Sequence, residues 1–517
     1  MPSDENHDRL SLVWFKRDLR VSDHLPLHEA AQHGPAVGLY IYEPTVHRAD
    51  EHDPSHLIFV NQCLEELRHE LRTRGSELIL AYGDAVEVLA RLRRSLGFVR
   101  LYSHEETGLG ATFERDKKVL AWCRSAGIAW REFQQHGVNR PTQSRDGWAS
   151  RWRRHMNQPT IDTPTIIQGL SLDPETVGGL LSPGELRIGV STKTHAQAGG
   201  SIAARKTLDT FLTERGEHYQ QAMSSPVQGW DACSRISPYL AYGSISMREA
   251  YQTTCRRQDA LPKGRTPWRG SLASFQKRLR WHCHFIQKLE DEPALESQNL
   301  CSAYDGMREQ DRSRWGPSES ERFDAWAAGR TGYPLVDACM RCLHTTGWIN
   351  FRMRAMLVSF ACYQLWLHWK PVAQHLARQF LDFEPGIHYP QCQMQAGVTG
   401  INTVRIYSPI KQAKDQDPGG IFIRQWVPEL TDVPSEHIAQ PEAMPAMTQQ
   451  MCGCVIGVDY PEPIVDHKTA YQEAREKVYR VKGRAETRQL AQRVYQKHGS
   501  RRKPMQRRHQ QRSRRST

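Results

Sequence analysis

Arg352 and Arg354 interrupt an otherwise apolar helical pattern. Between Thr331 and Leu430, Val336, Met340 and Leu343, then Met353, Leu357 and Phe360, recur at three-to-four spacing. A guanidinium set into such a pattern needs an anion or carboxylate partner. Asp382 and Glu384 arrive about one helix later. Two readings are open: an Arg–carboxylate pair that only ties helices together, or the polar fixing point of a cavity between helices. A second stretch, FQKRLRWHCHFIQKLE (275–290), sets Lys277, Arg278 and Arg280 around Trp281, with Trp268 and Arg269 just upstream. Rings interleaved with cations suit contact to bases and phosphates. A solvated basic helix face would give the same pattern. The sequence has no GxGxxG or GxxxxGK[ST] loop, no HExxH and no GxSxG elbow, so dinucleotide-fingerprint, P-loop, zincin and α/β-hydrolase readings lack support.

GRTGYPLVDACMR (329–341), TTGWINFRMR (345–354) and DPGGIFIRQWVPEL (417–430) resemble, in order and spacing, the photolyase/cryptochrome family of flavoproteins. That resemblance implies an all-helical FAD-binding domain in which reduced, light-excited flavin donates an electron. Tyr219 and CSRISPYLAYG (233–243) resemble the family's first FAD-contact stretch, which implicates Cys233, Ser234, Arg235, Ile236 and Ser237. Ser234 and Ser237 carry hydroxyls suited to a pyrophosphate, and a helix starting near Pro238 would offer free N–H groups to the same anion. Arg354 and Asp382 match the pair that brackets the isoalloxazine ring, with Phe383 and Glu384 alongside. A guanidinium there stabilises a reduced, anionic ring. Trp281 matches a tryptophan at the cavity mouth.

Several positions depart from the family pattern. His388 falls where a side chain faces flavin N5; the best-known repair enzymes have Asn there and plant cryptochromes Asp. A histidine can donate or accept a proton near neutrality. Cys392 stands where the flavin-proximal tryptophan of the electron-transfer chain belongs, while Trp369 and Trp315 match the middle and outer members. Tyr389, Trp348 and Trp326 are alternative electron carriers. Met394, Arg278 and Phe351 replace a stacking Trp, a Glu and an Asn of the substrate pocket, beside Arg352. The leading reading is a light-driven DNA photolyase, a carbon–carbon lyase that flips an ultraviolet pyrimidine lesion from duplex or single-stranded DNA. The alternative is a cryptochrome-like photoreceptor that signals by flavin redox change. The cofactor is FAD, with a second, antenna chromophore of folate or flavin type as an addition.

The elements that must position these residues fall into two kinds. SLVWF (11–15), AVGLYIYEP (36–44), ELILAYGD (77–84) and VRLYSHEETG (99–108) read as strands alternating with helices. They predict a doubly wound parallel sheet over residues 1–156. Asp23 is placed to cap a helix from Leu25, and the SHEETG turn is a candidate ligand loop at a strand end. WFKRDLRVSDHLPL also resembles the family's opening. Residues 157–200, rich in Pro, Gly, Ser and Thr, predict a surface connection. Residues 201–466 predict the helical domain, and 467–517 a charged helix and basic tail.

The chain has 517 residues and a formal net charge of +12. From Arg480 to Thr517 there are fourteen Lys/Arg and one acidic residue. The tail therefore carries the excess, and the body is close to neutral. QRVYQKHGSRRKPMQRRHQQRSRRST (492–517) is expected to be disordered when free and to neutralise phosphates without sequence preference. Twelve scattered cysteines fit a reducing cytoplasm. Cys339/Cys342 and Cys452/Cys454 form close pairs, but no metal site is expected, and the protein is expected to be a monomer. No apolar run reaches the length of a membrane span.

Overall fold

The computed structural model describes residues 10–140 and 145–499. Five parallel strands, β1 (Ser11–Phe15), β2 (Ala36–Tyr42), β3 (Leu78–Tyr82), β4 (Arg100–His104) and β5 (Ala129–Phe133), lie in the order β3-β2-β1-β4-β5. β1 and β2 are buried along their whole length, as strands covered on both faces must be. The covering helices include α1 (Leu25–Gln32), α2 (Pro54–Arg72), α3 (Ala85–Leu96) and α4 (Gly110–Ser125). α2 begins at a reciprocal cap between Asp53 and His56, and Phe59, Cys63, Leu67 and Leu71 form its inward face. β5, AWREF, is interrupted by Arg131 and Glu132 and was not legible as a strand; at one edge of the sheet it is largely exposed.

One expectation fails locally. α1 is capped by His24, whose Nδ1 accepts the Leu27 N–H, not by Asp23. Asp23 sits at φ 48° and turns its carboxylate to Ser246 and Arg248 of the helical region. The charge pairs available there outweigh a cap.

The helical region carries α5 (Pro267–Asp291), α6 (Phe351–Ser359), α7 (Trp369–Gln379), α8 (Pro385–Ala396), α9 (His467–Lys482) and α10 (Ala485–His498) among other helices. α5 packs on α8, and α6 packs on α8. The first of these contacts is close enough to require glycine: a Cβ on Gly386 would lie 2.7 Å from the Ile286 Cα. One apolar core runs from Val13 and Phe15 of β1 through Phe211, Tyr219 and Phe275 to Ile286, so sheet and helices share an interior. The RDLR turn after β1 is seated by Leu19 N–H and Arg20 donating to the Tyr242 and Gly243 carbonyls. Gly243 is at φ +70°, and a Cβ there would strike the Arg17 carbonyl.

Residues 157–200 contain one short helix, Pro174–Val177, pinned at Ile167, Leu186 and Lys193. The tail expectation is corrected over its first part. Residues 492–498 belong to α10, which buries Thr487, Val494 and His498, because an apolar stripe at helical spacing finds the core. Residues 500–517 lie outside the described residues. Among the described residues no helix is long and apolar enough to cross a membrane.

Candidate flavin site and nucleic-acid interface

Helix α6 meets the turn between α7 and α8 at a two-pronged ion pair. Arg354 donates from Nη1 and Nη2 to the two Asp382 oxygens at 2.9 Å each. Its Nε donates to the Ile349 carbonyl at 2.9 Å, and the guanidinium lies 4.1 Å from the Phe380 ring centroid. The fork is thus oriented on every edge. Burial by itself would raise the Asp382 carboxyl. Arg354 and a hydrogen bond from Ser237 overcome it and hold the carboxyl below its usual range. Glu384 caps α8 through Gly386 N–H and faces Arg17 at 3.3 Å; burial nevertheless raises its carboxyl. Arg17 also donates to the Phe383 carbonyl at 2.8 Å, so the turn after β1 braces this corner.

The SRIS stretch lies beside this pair. Arg235 is held at φ 58°, a conformation L-residues enter at a cost, and its guanidinium lies 4.2 Å from the Trp230 ring and 4.0 Å from Trp348. Burial lowers its pKa to about 10. Ile236 and Tyr219 are buried, and the Tyr219 hydroxyl oxygen accepts from Arg278. Cys233 and Ser234 are half-buried, with their carbonyls facing Arg215. Ser237 opens a helix of only five residues, Ser237–Ala241, so the predicted helix exists but is short. The polar set fits a large, flat ligand with an anionic part: two oriented guanidiniums and hydroxyls can donate to it, and the enclosed Asn350 Oδ1 is an acceptor with no partner.

His388 differs from its expectation. Nε2 donates to the Ala373 carbonyl at 2.8 Å, and burial lowers its pKa to about 4, so the ring stays neutral at physiological pH with Nδ1 as its acceptor. Phe383 and Phe380 pack against it. Cys392 is buried with Sγ 3.7 Å from His388 Nε2. Trp369 is fully buried, with Nε1 on Asn299 at 2.7 Å. Trp315 lies tilted against Phe323, with ring centroids 5.5 Å apart, and Phe323 contacts Trp326 and the His375 ring of α7.

On α5, Trp281 is 47% exposed, and on α6, Phe351 is 49% exposed. Arg278 reaches over both, 4.6 Å and 5.5 Å from the ring centroids. The three form one cationic, aromatic shelf. Lys277 is exposed, Arg280 is half-buried, and Met394 lies half-buried on α8. Arg352 opens onto a separate groove of about 690 Å³ walled also by Arg405, Lys411, Lys468, Arg475 and Tyr471, with no acidic residue on its lining. Sequence reasoning missed these four further cations. They come from segments some seventy residues apart, and only the docking of α9 joins them.

A second cavity, about 110 Å³, lies at the carboxyl ends of β1, β2 and β4. The SHEETG turn contributes Glu106 and Gly108 to it. Arg115 occupies its wall, with Glu43, Glu106 and Asp116 within 2.5 to 2.8 Å. Among the described residues, Asp18, His24 and His104 are close enough together to share a cation. Hydrogen bonds account for them: His24 Nε2 and His104 Nδ1 both donate to Asp18 Oδ2, at 2.9 and 2.7 Å. Cys339 and Cys342 are buried along the helix Pro334–Thr346.

A family model described as DNA photolyase matches residues 11–149, and one described as the FAD binding domain of DNA photolyase matches residues 275–480. A deoxyribodipyrimidine photo-lyase from Streptomyces griseus is 29% identical, covering 92% of this chain and 99% of its own. A cryptochrome DASH from Synechocystis is 27% identical, over 90% and 97%. The structure of a bacterial class III photolyase from Agrobacterium tumefaciens superposes with a TM-score of 0.80 at 25% identity, covering 94% and 100%. An archaeal photolyase from Sulfolobus tokodaii, solved with two FAD molecules, gives 0.73 at 23%, covering 91% and 100%. The chain belongs to the photolyase/cryptochrome family.

Proposed function

We propose that the protein is a light-driven, FAD-dependent DNA photolyase acting on ultraviolet pyrimidine lesions. The observation that carries this is the exposed Trp281–Arg278–Phe351 shelf, whose Phe351 sits on the same helix, α6, as the Arg354 paired with Asp382. Bound FAD, reduced and excited by light, supplies the electron that splits the lesion. Arg354, locked by Asp382, offers a fixed cation to the ring, and the neutral His388 offers an acceptor at Nδ1. Arg235 and the Ser234 and Ser237 segment serve the anionic part of the cofactor. Trp281 and Phe351 give flat faces for an extruded base, and Arg278 gives a donor fork beside them. Lys277, Arg280 and the groove from Arg352 to Arg475 take phosphates, which supplies affinity without sequence preference. Trp369 and Trp315 are assigned to electron supply.

A second chromophore of folate or flavin type is the less supported half of the cofactor reading. The strand-end cavity is well below the roughly 300 Å³ of a usual small-molecule site. A ring there requires the Arg115 cluster to move.

The cryptochrome-like reading has one specific observation in its favour. Arg278 covers both faces a lesion would use, so the shelf is partly self-occupied. Ultraviolet-irradiated oligonucleotides, incubated with chemically reduced holoprotein in light and in dark, separate the two. Light-dependent repair supports the photolyase; none in either condition leaves the photoreceptor.

A further inference from the structure

We infer that Tyr389 is a proton-coupled electron donor to photoexcited oxidised flavin, with Glu51 as its proton acceptor, filling the gap left by Cys392. The inference rests on the flavin reading above. Tyr389 is fully buried on α8. Its ring is in reach of both groups it would have to connect: 5.5 Å from His388, 6.3 Å from Phe383 and 6.2 Å from Trp369. No other ring is needed to join the flavin corner to Trp369.

The phenol is also equipped to lose a proton. Oη donates to Glu51 Oε1 at 2.5 Å across the boundary between helical region and sheet. Lys370 Nζ stands 3.1 Å from the same oxygen, 3.5 Å from Glu51, and 4.2 Å from the ring centroid. A phenol that lost an electron and kept its proton would be a cation facing this ammonium, which is unfavourable at low dielectric. Transfer of the proton to Glu51 along the existing hydrogen bond removes that charge. Burial and Glu51 together raise the phenol far above its ordinary pKa, so the donor is the neutral phenol and not phenolate. Glu51 also lines the strand-end cavity with His47, His52 and His56, which gives its proton an exit from the core. Cys392 is a poorer donor: burial raises its thiol and its neighbour is a neutral histidine.

In the step, one electron passes from the Tyr389 ring to the excited flavin. The Oη–H bond breaks as a Glu51 O–H bond forms, leaving a neutral tyrosyl radical and a protonated carboxyl. A thiol reductant in solution restores the electron through Trp369, and Glu51 returns the proton.

The test uses flash absorption and electron paramagnetic resonance on full-length holoprotein with oxidised FAD, with and without deuterated tyrosine. Expected are a tyrosyl radical whose spectrum responds to the label, its loss in Y389F, and a solvent-deuterium slowing that E51Q abolishes. The flavin-to-protein ratio of both variants and the infrared phenol C–O band of the unilluminated protein check that the site is intact. A radical on tryptophan or sulfur only, or an unchanged tyrosyl signal in Y389F, overturns the inference. If Y389F fails to fold, the labelled radical together with the loss of its solvent-deuterium slowing in E51Q decides. Wild type that repairs DNA from chemically reduced flavin yet shows no tyrosyl radical refutes the relay and leaves the photolyase reading standing. A tyrosyl radical without repair does the reverse. Wild type that binds no flavin overturns both.

Discussion

Replacing Asp382 with alanine removes one partner of a buried, two-pronged ion pair. Asp382 retains 4% side-chain exposure and Arg354 25%. Breaking a buried pair from one side costs about 3–5 kcal/mol, because the remaining charge is left uncompensated. Arg354 keeps enough exposure to rehydrate in part, so the lower end, about 3 kcal/mol, applies. If that cost falls on the flavin-bound state, FAD affinity drops by about two orders of magnitude, at 1.4 kcal/mol per tenfold. The assay is fluorescence titration of apoprotein with FAD, alongside the flavin-to-protein ratio after gel filtration. Near-neutral far-ultraviolet dichroism confirms folding. Asp382 also sets a pH window. Its pKa is depressed in the folded protein, so its contribution is full above the unfolded carboxylate value of about 3.9 and is lost as pH falls through the lower folded value. Flavin release that begins only below about pH 4 is expected of this group. A folded D382A protein with full loading and unchanged affinity would refute the assignment of the site.

Other outcomes follow from the same geometry. Trp281→Ala should weaken binding to lesion-containing DNA by about tenfold or more, since a stacked base is worth roughly 1–3 kcal/mol; equal binding by mobility shift would remove Trp281 from the interface. The double variant K468A/R475A should lower the salt slope of DNA binding by about two, one phosphate per cation; an unchanged slope would show that the groove does not face DNA. Removing residues 501–517, which hold eight Lys/Arg, should also flatten that slope while leaving flavin loading intact. Urea unfolding should show stability falling as pH drops from about 6.5 toward 4. His56, His282 and His388 are each pushed down to about 4 by burial, so the unfolded chain binds protons first. A pH-independent midpoint over that window would contradict their burial as neutral rings.

The sheet was legible because β1, β2 and β3 are short apolar runs separated by helix patterns, which leaves few architectures. β5 was not, because Arg131 and Glu132 leave AWREF without an apolar run, as an exposed edge strand tolerates. Arg354 and Asp382 were legible as charges inside an apolar helical pattern. Asp23 misled, since a cap position says nothing of a distant Arg248 that competes for the same carboxylate. His388 was read as a proton donor or acceptor near neutrality, but enclosure by Phe380 and Phe383 fixes it neutral. The Tyr389–Glu51 bond spans 338 residues, and neither residue has a local pattern that announces the other. The same holds for the groove joining Arg352 to Arg475. α10 hid behind its charge: counting cations in the tail obscured the apolar stripe that docks it.

The most direct measurement is the absorption spectrum of protein purified in the dark, repeated after blue light with a thiol reductant. Stoichiometric bound flavin that becomes reduced under light is the predicted result, and it would show that electrons reach the cofactor despite Cys392. Protein that carries no flavin, and takes none up when FAD is added, would contradict the account at its centre.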